Sequence, residues 1–307
     1  MKIIYFGTPD FAVKPLEKLI ENFEVVAVVT QPDRPVGRSS KPVPCAVKQC
    51  AMSHNIPVLQ YEKIRLEGVN DLKNLNADMM VSCAYGQIFS KEILDITPLG
   101  LYNIHGSILP KYRGSAPIQW SIINGEEMSG ITILKTDVGM DDGDILLTYP
   151  VKINENETSG ELFDRLSEVG ATAIVDAVNL LKSGDYTLTP QDSSQATVCK
   201  MLSPEMSKLD FSKPAKDVVN MIHGINPWPI AKVEMGGNAF KVFTAKLRTD
   251  YSGNAGEVLV SSSKLGLIVA CGDNAVEFVE IQPNNGKRMT AKSYLNGKII
   301  PVGEIVR

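Results

Sequence analysis

The first thirty residues constrain the architecture most. Residues 2–6 (Lys-Ile-Ile-Tyr-Phe) read as a strand buried on both faces. Gly7-Thr-Pro-Asp10 follows, then an amphipathic helix with Phe11, Val13, Leu16, Leu19 and Ile20, then a second strand at 24–30. Two strands joined through a helix at this spacing are parallel, because a hairpin cannot make that connection. Parallel strands need helices on both faces. The expected fold class is therefore α/β: a Rossmann-like, mostly parallel sheet with flanking helices. The first turn lacks Gly-x-Gly-x-x-Gly, which excludes a nicotinamide enzyme.

The next stretch interrupts this rhythm. Residues 31–44 (Gln-Pro-Asp-Arg-Pro-Val-Gly-Arg-Ser-Ser-Lys-Pro-Val-Pro) hold four prolines, two arginines and a lysine, which forbids a helix or an inner strand. Helix is expected again at 45–54 and 69–75, and strand at 57–59, 78–84 and 99–105. Ser115 is a candidate helix cap, with Pro117 in the first turn. Strands at 130–136, 145–149 and 151–153 extend the sheet. Thr158-x-x-Glu161 is a capping box opening a long helix over 157–183. Periodicity is lost at 186–202. Short alternating runs follow at 231–235, 240–247, 256–260, 267–271 and 275–281, the pattern of a small β-barrel. Trp228, wedged in Asn226-Pro-Trp-Pro229, is expected to be a plug between domains, with an exposed stacking surface as the alternative.

A chain of 307 residues exceeds one ordinary core. The division expected is a catalytic domain at 1–189, a linker at 190–206 and a C-terminal β-barrel at 207–307. The apolar runs are too short to cross a membrane. The opening segment lacks a signal peptide's apolar core and cleavage site, and five scattered cysteines without Cys-x-x-Cys point to reduced thiols, so a cytoplasmic protein is expected. The three histidines, 54, 105 and 223, are far apart in the sequence and show no metal-ligand spacing, so no metal is expected. The net charge of −4 is uneven: residues 206–307 carry 13 basic and 9 acidic residues, whereas 1–205 carry 18 and 26. A basic C-terminal portion tolerates a polyanion.

The chemistry concentrates at 101–144. Asn103 and His105 lie two apart in a short apolar run, so on a strand they share one face. Gly106 ends that strand, and an open α/β sheet gathers its reacting groups at such ends. An amide beside an imidazole can hold a developing oxyanion, and a carboxylate can orient the ring and move protons. Asp141, in the turn Asp137-Val-Gly-Met-Asp-Asp-Gly-Asp144, is the best candidate. From pattern alone a second reading stays open: Asn103 caps a turn, His105 is a core histidine, and Asp141 and Asp142 are turn residues.

Asn-x-His-x-Ser-x-Leu-Pro at 103–110, Arg-Gly-Ser-Ala-Pro-Ile-Gln at 113–119 and Asp-x-Gly-x-Asp-x-Gly at 137–143 closely resemble the 10-formyltetrahydrofolate-dependent formyltransferases. The resemblance runs nearly the whole chain. It implies Asn103, His105 and Asp141 as the catalytic set. It also implies 10-formyltetrahydrofolate as co-substrate, contacted by Ser107, Ile108, Leu109 and Pro110 and by the Tyr85-Gly86 segment. Gln-Pro-Asp-Arg-Pro-x-Gly-Arg at 31–38 resembles the family's tRNA-entering loop, with Arg38 at the first base pair and Arg34 and Lys41 at the backbone. The C-terminal domain would be a barrel of the oligonucleotide-binding type. The acceptor implied is the amine of initiator methionyl-tRNA, and the chain is expected to be a monomer. An amino-sugar formyltransferase and a non-catalytic RNA-binding relative are the alternatives.

Overall fold

A computed structural model of the chain describes residues 1–35, 37 and 41–307. The chain forms two compact units. The first comprises Met1–Gly114, Ser129–Val151 and Phe163–Val198; the second comprises Ser115–Met128, Lys152–Leu162 and Cys199–Arg307.

In chain order the elements up to the middle are β1 (Lys2–Gly7), α1 (Val13–Asn22), β2 (Glu24–Thr30), β3 (Arg34–Pro35), β4 (Pro42–Val43), α2 (Ala46–Ser53), β5 (Val58–Gln60), α3 (Ile64–Glu67), α4 (Val69–Asn74), β6 (Met79–Cys83), α5 (Lys91–Leu94), β7 (Leu101–His105), β8 (Arg113–Gly114), α6 (Pro117–Ile123), β9 (Met128–Lys135), β10 (Ile145–Lys152) and α7 (Ser159–Ser183). The first unit is built on a seven-stranded sheet in the order β10-β9-β7-β6-β1-β2-β5. Strands β5, β2, β1, β6 and β7 run parallel, and β9 is antiparallel to β7. The mostly parallel α/β sheet expected from the opening βαβ unit is thus present.

Alternation along β1 explains its burial on both faces. Ile4 and Phe6 join a core with Tyr61, Ile64, Leu72, Met80, Tyr85 and Ile93. On the other side the Tyr5 hydroxyl donates to the Ala12 carbonyl at 2.6 Å. Helix α7 lies over Ile104 and Ile131, close enough that a Cβ on Gly170 would meet Ile104 Cγ2 at 3.1 Å. The capping box forms at its start: Thr158 N–H donates to Glu161 Oε2 at 2.8 Å, and Glu161 N–H returns to Thr158 Oγ1 at 3.3 Å. One capping expectation fails. Ala116, not Ser115, occupies the N-cap of α6, and no side chain caps it. The residue before a proline is driven out of the helical region, so Ala116 takes the flanking place and Ser115 falls one residue early.

The second unit holds α6, β11 from its Cys199 onward (Val198–Cys199), α8 (Ala215–Gly224), β12 (Ala231–Met235), β13 (Asn238–Arg248), β14 (Val258–Ser262), β15 (Gly266–Ala270), β16 (Ala275–Pro283), β17 (Met289–Thr290) and α9 (Ala291–Tyr294). Its sheet runs β12-β13-β16-β15-β14, with β17 on β16, and these strands pair antiparallel. The last residues join the two edges. Glu234 exchanges backbone hydrogen bonds with Arg307 at 2.7 and 3.1 Å, while Val258 N–H donates to the Glu304 carbonyl and Val306 N–H to the Gly256 carbonyl, both at 2.8 Å. Val218, Val219 and Ile222 of α8 complete a core with Val233, Phe240, Val242, Leu267, Val276, Phe278 and Ile281. Trp228 is not a plug. Ile230 N–H closes a turn on the Ile225 carbonyl at 2.9 Å, and Trp228 within that turn is 53% exposed.

No helix among the described residues is long and apolar enough to cross a membrane.

Candidate active site

The site forms at the carboxyl end of β7, within the first unit. Asn103 is opposite Ser82 on β6, and His105 opposite Thr132 on β9. These registers decide what each side chain meets. The Ser82 hydroxyl donates to Asn103 Oδ1 at 2.9 Å, which fixes the amide with its NH₂ turned away from β6. That NH₂ points to Asp141 Oδ1 at 3.5 Å. Thr132 Oγ1 donates to the Ser107 carbonyl at 2.7 Å and accepts from Leu109 N–H at 3.2 Å, pinning the turn after β7 to β9.

His105 is 5% exposed. Its Nε2 is 2.9 Å from the Tyr112 carbonyl oxygen, an atom that only accepts, so this contact puts a hydrogen on Nε2. Nδ1 faces Asp141 Oδ2 at 3.6 Å, longer than a hydrogen bond. The same Oδ2 accepts from Gly114 N–H at 2.9 Å. Amide, imidazole and carboxylate, drawn from 103, 105 and 141, therefore meet as a set.

The Asp141 turn is tightly drawn. Asp141 has φ +51°, a left-handed conformation costing on the order of 1–3 kcal/mol for a non-glycine residue. Glycines let the turn fold on itself. A Cβ on Gly139 would sit 1.9 Å from Asp142 Oδ2, and one on Gly143 would sit 1.8 Å from the Lys135 carbonyl. Val138 and Met140 point outward and are exposed.

Gln191 and Thr197 carried no sequence signal, since both lie in the stretch read as a linker. Gln191 Nε2 donates to the Asp141 carbonyl at 2.8 Å and to the Gly143 carbonyl at 2.7 Å. Its Oε1 accepts from Arg113 Nε at 3.0 Å and Nη2 at 2.8 Å. Thr197 Oγ1 accepts from Tyr112 N–H at 2.8 Å, and its carbonyl from Arg113 N–H at 2.8 Å. Tyr112, whose carbonyl meets His105, has φ +62°.

The positions expected to contact folate divide. Ala84 and Gly86 are exposed after β6, with φ +47° and +85°, and present main chain at the same sheet edge. The Tyr85 side chain instead packs in the core, stacked on Phe89 at 5.6 Å and edge-on to Phe6 at 5.5 Å, and burial pushes its phenol well above the usual range. Its carbonyl accepts from Thr8 Oγ1 and Gln31 Nε2, both at 3.1 Å. Ser107 is 1% exposed and spends its hydroxyl on the Lys111 carbonyl at 2.7 Å. Leu109 is buried, while Ile108 and Pro110 are half-buried.

In the 31–44 segment, β3 and β4 form a short antiparallel ribbon, Arg34 opposite Val43 and Pro35 opposite Pro42. Arg34 pairs with Glu62 at 2.5 Å, and Lys41 is exposed. Arg38 lies outside the described residues. The ribbon is rooted in a polar knot in which Lys48 Nζ meets Asp33 Oδ2 at 2.7 Å and Gln60 Oε1 at 2.8 Å. Lys48, then Gln60, hold the Asp33 carboxyl below its ordinary range. Among the described residues, no three His, Cys, Asp or Glu side chains gather as a metal-holding group.

A family model described as "Formyl transferase" matches residues 1–178, and one described as "Formyl transferase, C-terminal domain" matches 201–298. Methionyl-tRNA formyltransferase of Acetivibrio thermocellus is 41% identical over 309 residues, covering 100% of this chain and 99% of that one. That of Clostridioides difficile is 41% identical over 308 residues, covering 100% of both. Among solved structures, the sugar 3N-formyl transferase WlaRD, determined with dTDP and 5-N-formyl-THF, superposes with a TM-score of 0.70 at 20% identity over 94% of this chain and 99% of its own. HypX from Aquifex aeolicus in complex with tetrahydrofolic acid gives 0.61 at 16% identity over 95% of this chain, which spans 46% of the HypX chain. At those identities the two structures speak for the fold alone. The chain belongs to the formyl transferase family, the one that includes the methionyl-tRNA formyltransferases.

Proposed function

We propose that this protein transfers the formyl group of 10-formyltetrahydrofolate to the amino group of initiator methionyl-tRNA, giving N-formylmethionyl-tRNA. The observation that carries the chemistry is the convergence of Asn103, His105 and Asp141 at one strand end. The acceptor follows from full-length relatives at 41% identity that bear that activity in their name.

The folate supplies the formyl carbon under attack and a leaving nitrogen. Its binding surface would be the exposed main chain of Ala84 and Gly86 with Ile108 and Pro110. This fits a flat heterocycle, because exposed main chain after β6 can hydrogen-bond a polar ring edge, and the half-buried Ile108 and Pro110 follow β7, the strand next to β6. An amine has its own lone pair, so no covalent enzyme intermediate is needed; the residues must place it, hold negative charge on oxygen and move a proton. Asn103 Nδ2–H donates to the developing oxyanion, with Ser82 holding the amide in that orientation. Asp141 takes the proton that the nucleophile sheds and passes it toward the leaving nitrogen. His105, tied to Tyr112 through Nε2–H, presents Nδ1 to the same space, and with a hydrogen on that nitrogen as well the ring, facing the Asp141 carboxylate, gives the second hydrogen bond to the oxyanion.

Arg34, Arg38 and Lys41 are the tRNA contacts in this reading, and guanidinium groups suit phosphate and base edges. The catalytic domain is 1–189, joined through 190–206 to a tRNA-binding barrel at 207–307. The protein acts as a cytoplasmic monomer without a metal. The test incubates purified protein and 10-formyltetrahydrofolate with charged initiator tRNA or with a nucleotide-linked amino sugar, and identifies the formylated product by mass. Formyl-methionyl ester from the tRNA is the expected product. Formylation of the sugar alone would replace this reading with an amino-sugar enzyme, and no transfer to either would leave a non-catalytic RNA-binding protein.

A further inference from the structure

The side-chain amide of Gln191 is saturated with hydrogen bonds. A primary amide has two hydrogens and two acceptor lone pairs. Both hydrogens go to carbonyls of the Asp141 turn, and both lone pairs receive Arg113. The partners also fix which way the amide faces, since carbonyls require the NH₂ and a guanidinium requires the oxygen. The bonds close a ring around the carboxylate of Asp141. Gln191 holds Arg113, the next residue Gly114 donates to Asp141 Oδ2, and the Asp141 carbonyl returns to Gln191.

We propose that Gln191 is a positioning residue for Asp141, bracing its left-handed turn and the Arg113-Gly114 segment as one rigid frame. The assignment rests on the formyl-transfer reading above for its catalytic consequence, but not for its structural one. Asp141 holds φ +51°, a strained conformation, and Gly139 and Gly143, without side chains, give the turn's backbone freedom to relax. Two carbonyls pinned by one side chain remove that freedom. Asparagine would be one methylene short, and glutamate would set a carboxylate against two carbonyl oxygens. The partly buried side chain touches none of the reacting groups, so it acts only through Asp141 and Gly114.

The test uses the full chain with Gln191→Glu and Gln191→Met, both close to the native volume. Expected is a fall in kcat of about 10²-fold for Gln191→Glu and about tenfold for Gln191→Met, with both KM values within about threefold, as misplacement of a catalytic group predicts. In parallel, amide hydrogen exchange across 138–144 should rise by about tenfold or more while the rest of the first unit keeps its protection. Unchanged exchange in that segment, exchange raised throughout the unit, or kcat within about twofold of wild type in Gln191→Glu would each overturn the proposal. A wild-type protein that fails to formylate would instead count against the functional reading, and the exchange experiment would still decide the frame.

Discussion

Asp141 is asked to do two things with one carboxylate: accept Gly114 N–H and face the ring of His105. Asp141→Asn keeps the size and one acceptor oxygen but loses the charge. Turnover should fall by about 10³-fold or more, within the range for lost proton-transfer catalysis, with thermal stability close to wild type; single-turnover formylation and a melting curve check it. His105→Ala is different. It removes the donor to the Tyr112 carbonyl, so besides a loss of about 10²–10³ in rate it should cost about 1–3 kcal/mol of stability by urea titration. How much of this was legible follows from distance along the chain. The shared face of Asn103 and His105 is a period-2 pattern and could be read directly. The contribution of Gln191 could not, because a glutamine in a polar stretch has no local feature that names partners 50 and 78 residues away.

At the scale of elements, the local signals that were mechanical proved the readable ones. The Thr158 capping box is the case: a hydroxyl and a carboxylate three apart satisfy each other's N–H groups whatever the rest of the fold does. The Thr158 N–H, followed by its hydroxyl, also holds the Glu161 carboxyl below its ordinary range. Thr158→Ala removes the acceptor for Glu161 N–H and should destabilise the protein by about 1 kcal/mol, seen as a lower urea midpoint with unchanged slope. Ser115 failed by the same logic in reverse, since proline chemistry at 117 outranked a favourable cap residue one position away. The β3–β4 ribbon sits within what proline permits, an outer two-residue pairing with no inner strand. The residues that join the sheet edges in the second unit were invisible in the sequence. Gly-Glu-Ile-Val-Arg at 303–307 has no periodicity, and its partners are set by where β12 and β14 end.

At the scale of the whole molecule, charge and burial set the response to pH and salt. His223 in α8 accepts Ala245 N–H on Nε2 at 3.1 Å, which requires the ring to be neutral with its hydrogen on Nδ1. Burial is the main reason its pKa lies below the ordinary imidazole value, and the nearby Glu161 charge opposes that lowering. The unfolded chain therefore binds this proton more readily than the folded one. Stability contributed by the neutral ring is present above about pH 6.5 and is lost as the pH falls below that value. Urea titrations at pH 7.5 and 5.5 should show a smaller drop for His223→Gln than for wild type, and equal drops would refute the assignment. The antiparallel sheet of the second unit has a further consequence, for the order in which the chain can be made. Residues 303–307 hydrogen-bond both to β12 and to the start of β14, so a nascent polypeptide emerging from the ribosome lacks these bonds at both margins until that segment is made. Any chaperone that guards this protein has most to protect in the moments just before those few residues arrive.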